Sequence, residues 1–188
     1  MYTRKILTAV ILVFIISTAF KTDSSKFVSQ KTHLNFFSHT DIEDITANNY
    51  KAISTLDTAS GDVVFSVPMQ SFEFKKALMQ KHFNSAKFLD TKQFPKAKFT
   101  GKILNNNSIN YKKDGVYQAQ IKGDMTIKGK SKTLNEKGTI TVKAGVLIVS
   151  SEFNLTLSDY GVVFESGKPS SNIAKTVKVK LAAEYKSE

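Results

Sequence analysis

Apolar and polar residues alternate along most of the chain after residue 26, and this period of two is typical of half-buried β-strands. The segment 117–128 is the clearest example, with apolar or small residues at odd positions and polar or charged residues at even positions. A second run at 133–143 reverses this parity. Gly129, Lys130 and Ser131 between the runs have the length of a hairpin connection. The two segments therefore predict an antiparallel hairpin.

Further alternating segments bring the predicted number of strands to about eight. Clear runs lie at 62–67, 98–103, 147–157 and 176–185, and less regular ones lie at 27–37 and 47–56. Closing such a sheet on itself buries the apolar face and leaves no unpaired edge. We therefore predict an all-β fold with one short helix, arranged as an antiparallel eight-stranded lipocalin-like β-barrel. A two-sheet sandwich is the alternative, because alternation does not distinguish the two architectures.

Residues 71–89 break the β pattern and favour a helix. Phe74, Ala77 and Leu78 follow helical spacing better than alternation, and Ser71 is suited to an N-cap. We expect a helix of about three turns that ends before the loop at residues 90–95. The segment is richer in apolar residues than a simple crossover needs, so it either plugs one end of the barrel or forms a lid over a ligand.

The N-terminus has the pattern of a secretory signal peptide. Arg4 and Lys5 precede residues 6–16, which are uncharged and mostly apolar. This stretch is too short to cross a bilayer core of about 30 Å but has the length of a signal-peptide core. An uncleaved membrane anchor is the alternative interpretation.

Small residues at Ser17 and Ala19 predict cleavage after Ala19. The predicted organisation is a signal peptide at residues 1–19 and a barrel domain at 20–188. The expected localisation is periplasmic or secreted.

Charge and composition exclude several functions. The chain has 27 Lys plus Arg against 16 Asp plus Glu, a formal net charge of +11, yet its single arginine is Arg4. The lysines occur singly along the predicted strands, so we expect no nucleic-acid binding. The composition does not decide whether the protein makes weak contact with an anionic membrane surface. It also does not decide whether the protein forms a homodimer. The absence of cysteine removes disulfides, thiolate metal sites and cysteine nucleophiles.

No catalytic or metal-binding pattern is present. Ser38, His39 and Asp41 are too close in sequence to supply the geometry of a nucleophile and its base, and no nucleophile-elbow motif occurs. His33 and His39 lack the spacing of known zinc motifs, and the acidic segment 57–62 is better explained as a hairpin turn than as a calcium loop. We expect no enzyme activity, no cofactor and no metal.

Several segments resemble one family of secreted bacterial proteins. Residues 67–103 resemble the signature of the polyisoprenoid-binding YceI-like family, and residues 121–134 are similar to its glycine-bounded hairpin. Residues 153–162 and 36–45 are similar to two further segments, in the family's order and at compatible spacing. The resemblance covers nearly the whole chain after the signal peptide.

This resemblance implies a periplasmic carrier that holds a long isoprenoid lipid, such as a quinone or a polyprenyl chain, in the barrel. A tube of apolar side chains agrees with that implication, because it selects a long, thin, apolar shape. An envelope structural or stress-associated barrel with a filled core and no lipid ligand is the alternative. The candidate lumen residues are Phe65, Val67, Phe72, Leu78, Met79, Phe83, Phe99, Ile103, Ile121 and Met125.

If the N-terminal segment is a signal peptide, the mature protein begins near Phe20. Intact-mass analysis of protein from the periplasmic fraction measures this directly. A full-length chain retained in the membrane would contradict the assignment.

Overall fold

The computed structural model describes residues 25–162 and 172–186, and the predicted signal peptide lies outside these residues and stays a prediction. Within them are ten β-strands, one α-helix and three short 3-10 turns. The strands and helix are β1 (Lys26–His39), β2 (Asp44–Asn49), β3 (Ile53–Asp57), β4 (Asp62–Pro68), β5 (Glu73–Phe74), α1 (Ala77–Asn84), β6 (Lys96–Ile103), β7 (Gly115–Ile127), β8 (Lys130–Lys143), β9 (Val146–Thr156) and β10 (Thr176–Lys186). The 3-10 turns are Met69–Ser71, Asn106–Ser108 and Leu157–Tyr160.

Eight strands form a closed antiparallel barrel. Their order is β1, β3, β4, β6, β7, β8, β9, β10 and back to β1. The ring is closed by β1 and β10, where Leu34 pairs with Leu181 and Phe36 pairs with Val179. The predicted all-β barrel with one short helix is confirmed, and the sandwich alternative is wrong.

The two remaining strands extend the barrel at the end where α1 lies. β2 and β3 pair with β1 in one continuous register, so they are two parts of the long strand predicted at 47–56. The buried Asn49 lies at the break, where its amide group donates to the Pro68 carbonyl (2.8 Å) and accepts from the Lys51 N–H (2.9 Å). These bonds satisfy backbone groups that strand pairing leaves free at the break.

Tight turns connect the three strands of the β7–β8–β9 meander. Lys128 and Gly129 occupy the first turn with φ of 49° and 74°, and Ala144 and Gly145 occupy the second with 49° and 77°. Two successive residues with positive φ are the signature of type I′ turns, whose twist matches that of the strands. The predicted hairpin is confirmed, with its turn about one residue earlier than the sequence indicated.

The predicted parity of the strands is confirmed. Ile140, Leu155 and Val179 are buried in the interior, whereas Lys122 and Lys178 are exposed outside. The buried side chains form two clusters. The cluster far from α1 includes Leu56, Val63, Ile140, Val142, Leu147 and Tyr185, and the cluster beside α1 includes Val67, Phe72, Phe83, Leu89, Tyr160 and Val177.

The helix is shorter than predicted and begins later. α1 has 8 residues, about two turns, and Lys76 occupies its N-cap without a side-chain hydrogen bond. Ser71 belongs to a 3-10 turn instead, and Phe74 pairs with Ala47 as part of β5. The helical spacing of Phe74 misled the prediction, because its backbone completes a sheet and its ring packs into the barrel end.

A close approach between β6 and β7 depends on two facing glycines. Gly101 pairs with Gly123, and the ring of Phe99 lies across them. A Cβ at Gly123 would overlap the Gly101 Cα and the Thr100 carbonyl oxygen. Side chains at this pair would therefore force the strands apart.

Two buried tyrosines differ in how their hydroxyls are satisfied. The Tyr185 hydroxyl forms a hydrogen bond with the buried Ser54 hydroxyl, whereas the Tyr160 hydroxyl has no partner among the described residues. Burial raises the pKa of Tyr160 and of Tyr185 to about 12, so both phenols stay neutral at physiological pH.

Replacing Gly123 should destabilise the barrel more than replacing a glycine that faces only the end of one side chain. We expect Gly123→Ala to lower the free energy of unfolding by about 1–3 kcal/mol, because the new methyl overlaps backbone atoms. Gly115→Ala is the control, since its nearest contact is the Tyr117 hydroxyl at 3.3 Å, and it should change stability by less than about 0.5 kcal/mol. Urea denaturation measures both, and equal effects would contradict the close approach.

Removing the Tyr185 hydroxyl should destabilise the protein, whereas removing the Tyr160 hydroxyl should not. Tyr185→Phe leaves the Ser54 hydroxyl buried without its partner and should cost about 1–2 kcal/mol. Tyr160→Phe removes an unpaired buried polar group and should leave stability unchanged or raise it by about 1 kcal/mol. Urea denaturation of both variants tests this, and a large loss for Tyr160→Phe would show that its hydroxyl has a partner.

Candidate functional site

The barrel is hollow in the half that lies beside α1. A cavity of about 660 Å³ opens there, and its walls are mostly apolar. Side chains from β1, β4, β6, β7, β9, β10 and the α1 segment contribute to it. The apolar lining includes Leu34, Phe36, Val67, Phe72, Met79, Phe83, Met125, Phe153, Leu155, Val177 and Val179.

A smaller space of about 70 Å³ lies deeper in the barrel. It shares Leu34, Val67, Met125 and Phe153 with the larger cavity, so the two adjoin. Its walls also include members of the distant buried cluster, such as Phe65. The lumen therefore narrows from the α1 end towards a packed opposite end.

An aromatic cluster holds α1 over the wide end. Phe83, on the buried side of α1, packs against Phe36, Phe72 and Phe74 with ring centroids 5.8, 5.4 and 5.1 Å away, respectively. Phe88 extends the cluster, with its centroid 6.4 Å from that of Phe83. Such tilted and stacked pairs add to the free energy of apolar burial.

Two polar contacts fasten the same segment to the barrel rim. The Lys76 ammonium lies 2.6 Å from a Glu43 carboxylate oxygen, which joins the start of α1 to the β1–β2 turn. The Lys128 ammonium donates to the Phe88 carbonyl and joins the β7–β8 turn to the chain after α1. The α1 segment is thus attached on both sides of the cavity.

Nine of the ten candidate lumen residues line these spaces. Val67, Phe72, Met79, Phe83 and Met125 line the larger cavity, and Phe65, Val67, Phe99, Ile103, Ile121 and Met125 line the smaller one. Whether they contact a lipid stays a prediction.

Leu78 lines neither space, and its side chain is 63% exposed. Met79 and Phe83, four residues apart, occupy the inner face of α1, and Leu78 lies outside that face. The sequence placed Leu78 in the lumen because helical spacing groups apolar residues without showing which of them face the barrel.

The lining residues that the sequence analysis did not select include apolar side chains of β1, β9 and β10. They include Leu34, Phe36, Phe153, Leu155, Val177 and Val179. Alternation in β9 and β10 already indicated which of their residues point into the barrel. The alternation of Leu34, Phe36 and Ser38 gave the same indication in β1. Alternation shows which residues of a strand point inward but not at which level of the barrel the lumen is open, so it did not single these residues out.

The residues considered for catalysis are not arranged for it. The Ser38 hydroxyl is buried and accepts a hydrogen bond from the Ala174 N–H at 2.9 Å. His39 is exposed and its Nδ1 lies 2.6 Å from an Asp44 carboxylate oxygen. His33 stacks on Tyr50 at 4.7 Å on the outer surface. Ser38 and His39 thus lie on opposite faces of β1.

The described part of the chain, residues 25–162 and 172–186, contains neither a cluster of metal ligands nor a membrane-spanning helix. No group of three or more His, Asp or Glu side chains there could hold a metal ion. No helix in these ranges has the length and apolar character needed to cross a bilayer. The segment 57–62 forms a turn in which Asp57 accepts from the Ala59 N–H, as expected for a hairpin connection.

Solved structures with the same fold include three bacterial proteins. A polyisoprenoid-binding domain from Saccharophagus degradans, implicated in plant cell wall breakdown, has a TM-score of 0.73 at 13% identity, covering 88% of this chain and 99% of that one. BcnA from Burkholderia cenocepacia has a TM-score of 0.67 at 18% identity, covering 81% and 95%. A YceI protein from Campylobacter jejuni has a TM-score of 0.60 at 19% identity, covering 80% and 90%. At these identities the likeness concerns the fold.

Sequence comparison assigns the family directly. No curated protein matches the chain significantly, but the family model of the YceI-like domain matches residues 21–185. The match spans the whole barrel and confirms the resemblance found in the sequence. The chain therefore belongs to the YceI-like family.

Proposed function

We propose that this protein binds a polyisoprenoid lipid, with the tail of the lipid in the hollow half of the barrel. The open apolar cavity of about 660 Å³ is the observation that carries this proposal. It lies within the range of about 300–1,000 Å³ that is usual for small-molecule sites. A barrel with a completely filled core, the alternative raised by the sequence, does not agree with this cavity.

The cavity volume sets the length of tail that fits. At about 30 Å³ per heavy atom, the share of one water molecule in the liquid, the cavity accommodates on the order of 20 carbon atoms, or about four isoprene units. Burying 20 carbon atoms contributes on the order of 15 kcal/mol, at about 0.8 kcal/mol per methylene. This equals or exceeds the cost of association, about 4–15 kcal/mol.

The lining selects by shape more than by hydrogen bonding. Aliphatic and aromatic side chains make up most of the cavity wall, while polar groups such as Asn35, Glu43 and His82 are few. A long, thin hydrocarbon fits such a tube, and the polyisoprenoid-binding domain from Saccharophagus degradans shares its fold. Isoprenoid quinones and polyprenyl lipids are both ligands of this shape.

The proposed setting is the periplasm or the exterior of the cell. The N-terminal pattern of Arg4, Lys5 and the apolar stretch 6–16 supports secretion. Exposed lysines on the outer face of the barrel favour weak contact with an anionic membrane surface, where a lipid carrier would exchange its ligand.

A charge in the lumen should expel the lipid, whereas the same charge outside should not. Met125 lines both cavities, and the adjacent Thr126 lies on the opposite face of β7. Met125→Asp should lose most of the co-purified lipid, because an unpaired carboxylate in an apolar lumen loses its solvation. Thr126→Asp, the control, should retain it. Organic extraction and mass spectrometry quantify the lipid, and circular dichroism establishes that both variants are folded.

The wild-type protein provides the decisive measurement for the proposal as a whole. If it yields no extracted lipid and binds no added isoprenoid quinone, the proposed function is wrong. Equal lipid loss in the two aspartate variants would instead place the ligand outside the lumen.

A further inference from the structure

The barrel wall is incomplete between β8 and β9. The two strands pair only from the connecting turn as far as Gly138 and Ser151. Beyond that point, residues 130–137 pair with β7 alone and residues 152–156 pair with β10 alone. Where the strands separate, the Ser151 hydroxyl donates to the Lys137 carbonyl at 2.8 Å in place of a strand partner. We call the space between these two stretches the lateral gap.

The lateral gap is closed again at the α1 end of the barrel. The Lys132 ammonium on β8 lies 3.5 Å from a carboxylate oxygen of Asp159, in the 3-10 turn that follows β9. Leu134 and Phe153 line the gap on the lumen side and are partly buried. The gap is therefore an opening bounded at both ends, and one that adjoins the ligand cavity.

Glu136 lies at the inner edge of this opening. It pairs with Ile121 of β7 and shares the inward parity of Leu134 and Gly138. Its side chain is half-buried and lines the smaller cavity beside apolar residues such as Phe99. Among residues 25–162 and 172–186, it forms no hydrogen bond or ion pair.

A carboxylate in this position constrains what can lie next to it. A purely apolar chain would remove water from Glu136 without replacing its hydrogen bonds, at a cost in free energy. An ionised carboxylate only accepts hydrogen bonds, so a donor on the ligand would offset that cost. A phosphate ester would instead place a second negative charge beside the first.

We infer that the polar head of the bound isoprenoid lies at the lateral gap beside Glu136, and that this site favours an uncharged head with a hydrogen-bond donor, such as an alcohol, over a phosphate ester. The tail then extends from the gap into the larger cavity. This inference rests on the proposed lipid-binding function and adds the position and the class of the head group.

The inference is tested with two ligands that share a tail of four isoprene units, geranylgeraniol and geranylgeranyl phosphate. Their affinities are measured by displacement of a fluorescently labelled prenol, at concentrations below those at which they form micelles. The wild-type protein should bind the alcohol at least about tenfold more tightly than the phosphate. In Glu136→Gln the affinity for the phosphate should rise, and this preference should fall about tenfold.

Glu152→Gln is the matched control. Glu152 lies on the outer face of β9, where its carboxylate contacts Lys178 at 3.0 Å and Lys180 at 3.2 Å. Its substitution removes the same charge from the same part of the barrel without altering the lumen, so the preference should stay at the wild-type value. A second variant, Glu136→Leu, should bind the uncharged hydrocarbon squalene more tightly than the wild-type protein does.

The outcomes separate this inference from the proposed function. If Glu136→Gln and the wild-type protein bind both ligands with the same preference, the head group lies elsewhere and the inference is overturned, while lipid binding stands. If the preference for the alcohol falls equally in Glu152→Gln, the preference depends on the overall charge of the protein. That result would also overturn the inference. If the wild-type protein binds neither ligand, the proposed function itself fails.

Discussion

An antiparallel sheet of eight strands that closes on itself encloses a space about as wide as the side chains that point into it. The inward side chains either fill this space or leave part of it open. In the half far from α1, Leu56, Ile140 and Tyr185 belong to a packed cluster. In the other half, side chains such as Leu34, Phe153 and Leu155 line a cavity of about 660 Å³ instead. One barrel thus combines a packed core with an open apolar cavity.

The cavity depends on the α1 segment for its end wall. Phe83 brings three other rings together at that end, and ion pairing between Lys76 and Glu43 fixes the entry to the helix. A two-turn helix has little stability of its own, so this arrangement relies on tertiary contacts. The segment packs at the end of the barrel, in agreement with the plug interpretation, and it lines the cavity. The lid interpretation stays a prediction.

The strands and their faces could be predicted because a period of two relates sequence directly to side-chain direction. The start of the helix could not be predicted from the sequence, because Phe74 pairs with Ala47 of β2, a strand far away in the sequence. Leu78 was misplaced for a related reason, since only packing determines the inner face of a short helix. Glu136 was passed over because an apolar face was expected there, and the separation of β8 from β9 leaves no signal in the alternation.

The pairing of β1 with β10 joins strands from opposite ends of the domain. During synthesis the meander of β7 to β10 can form from local contacts, but the ring stays open until the last strand is available. Until then β1 exposes an unpaired edge and the lumen wall is incomplete, which is a state prone to association with other chains. A truncation that removes β10 would therefore leave an open sheet in place of a smaller barrel.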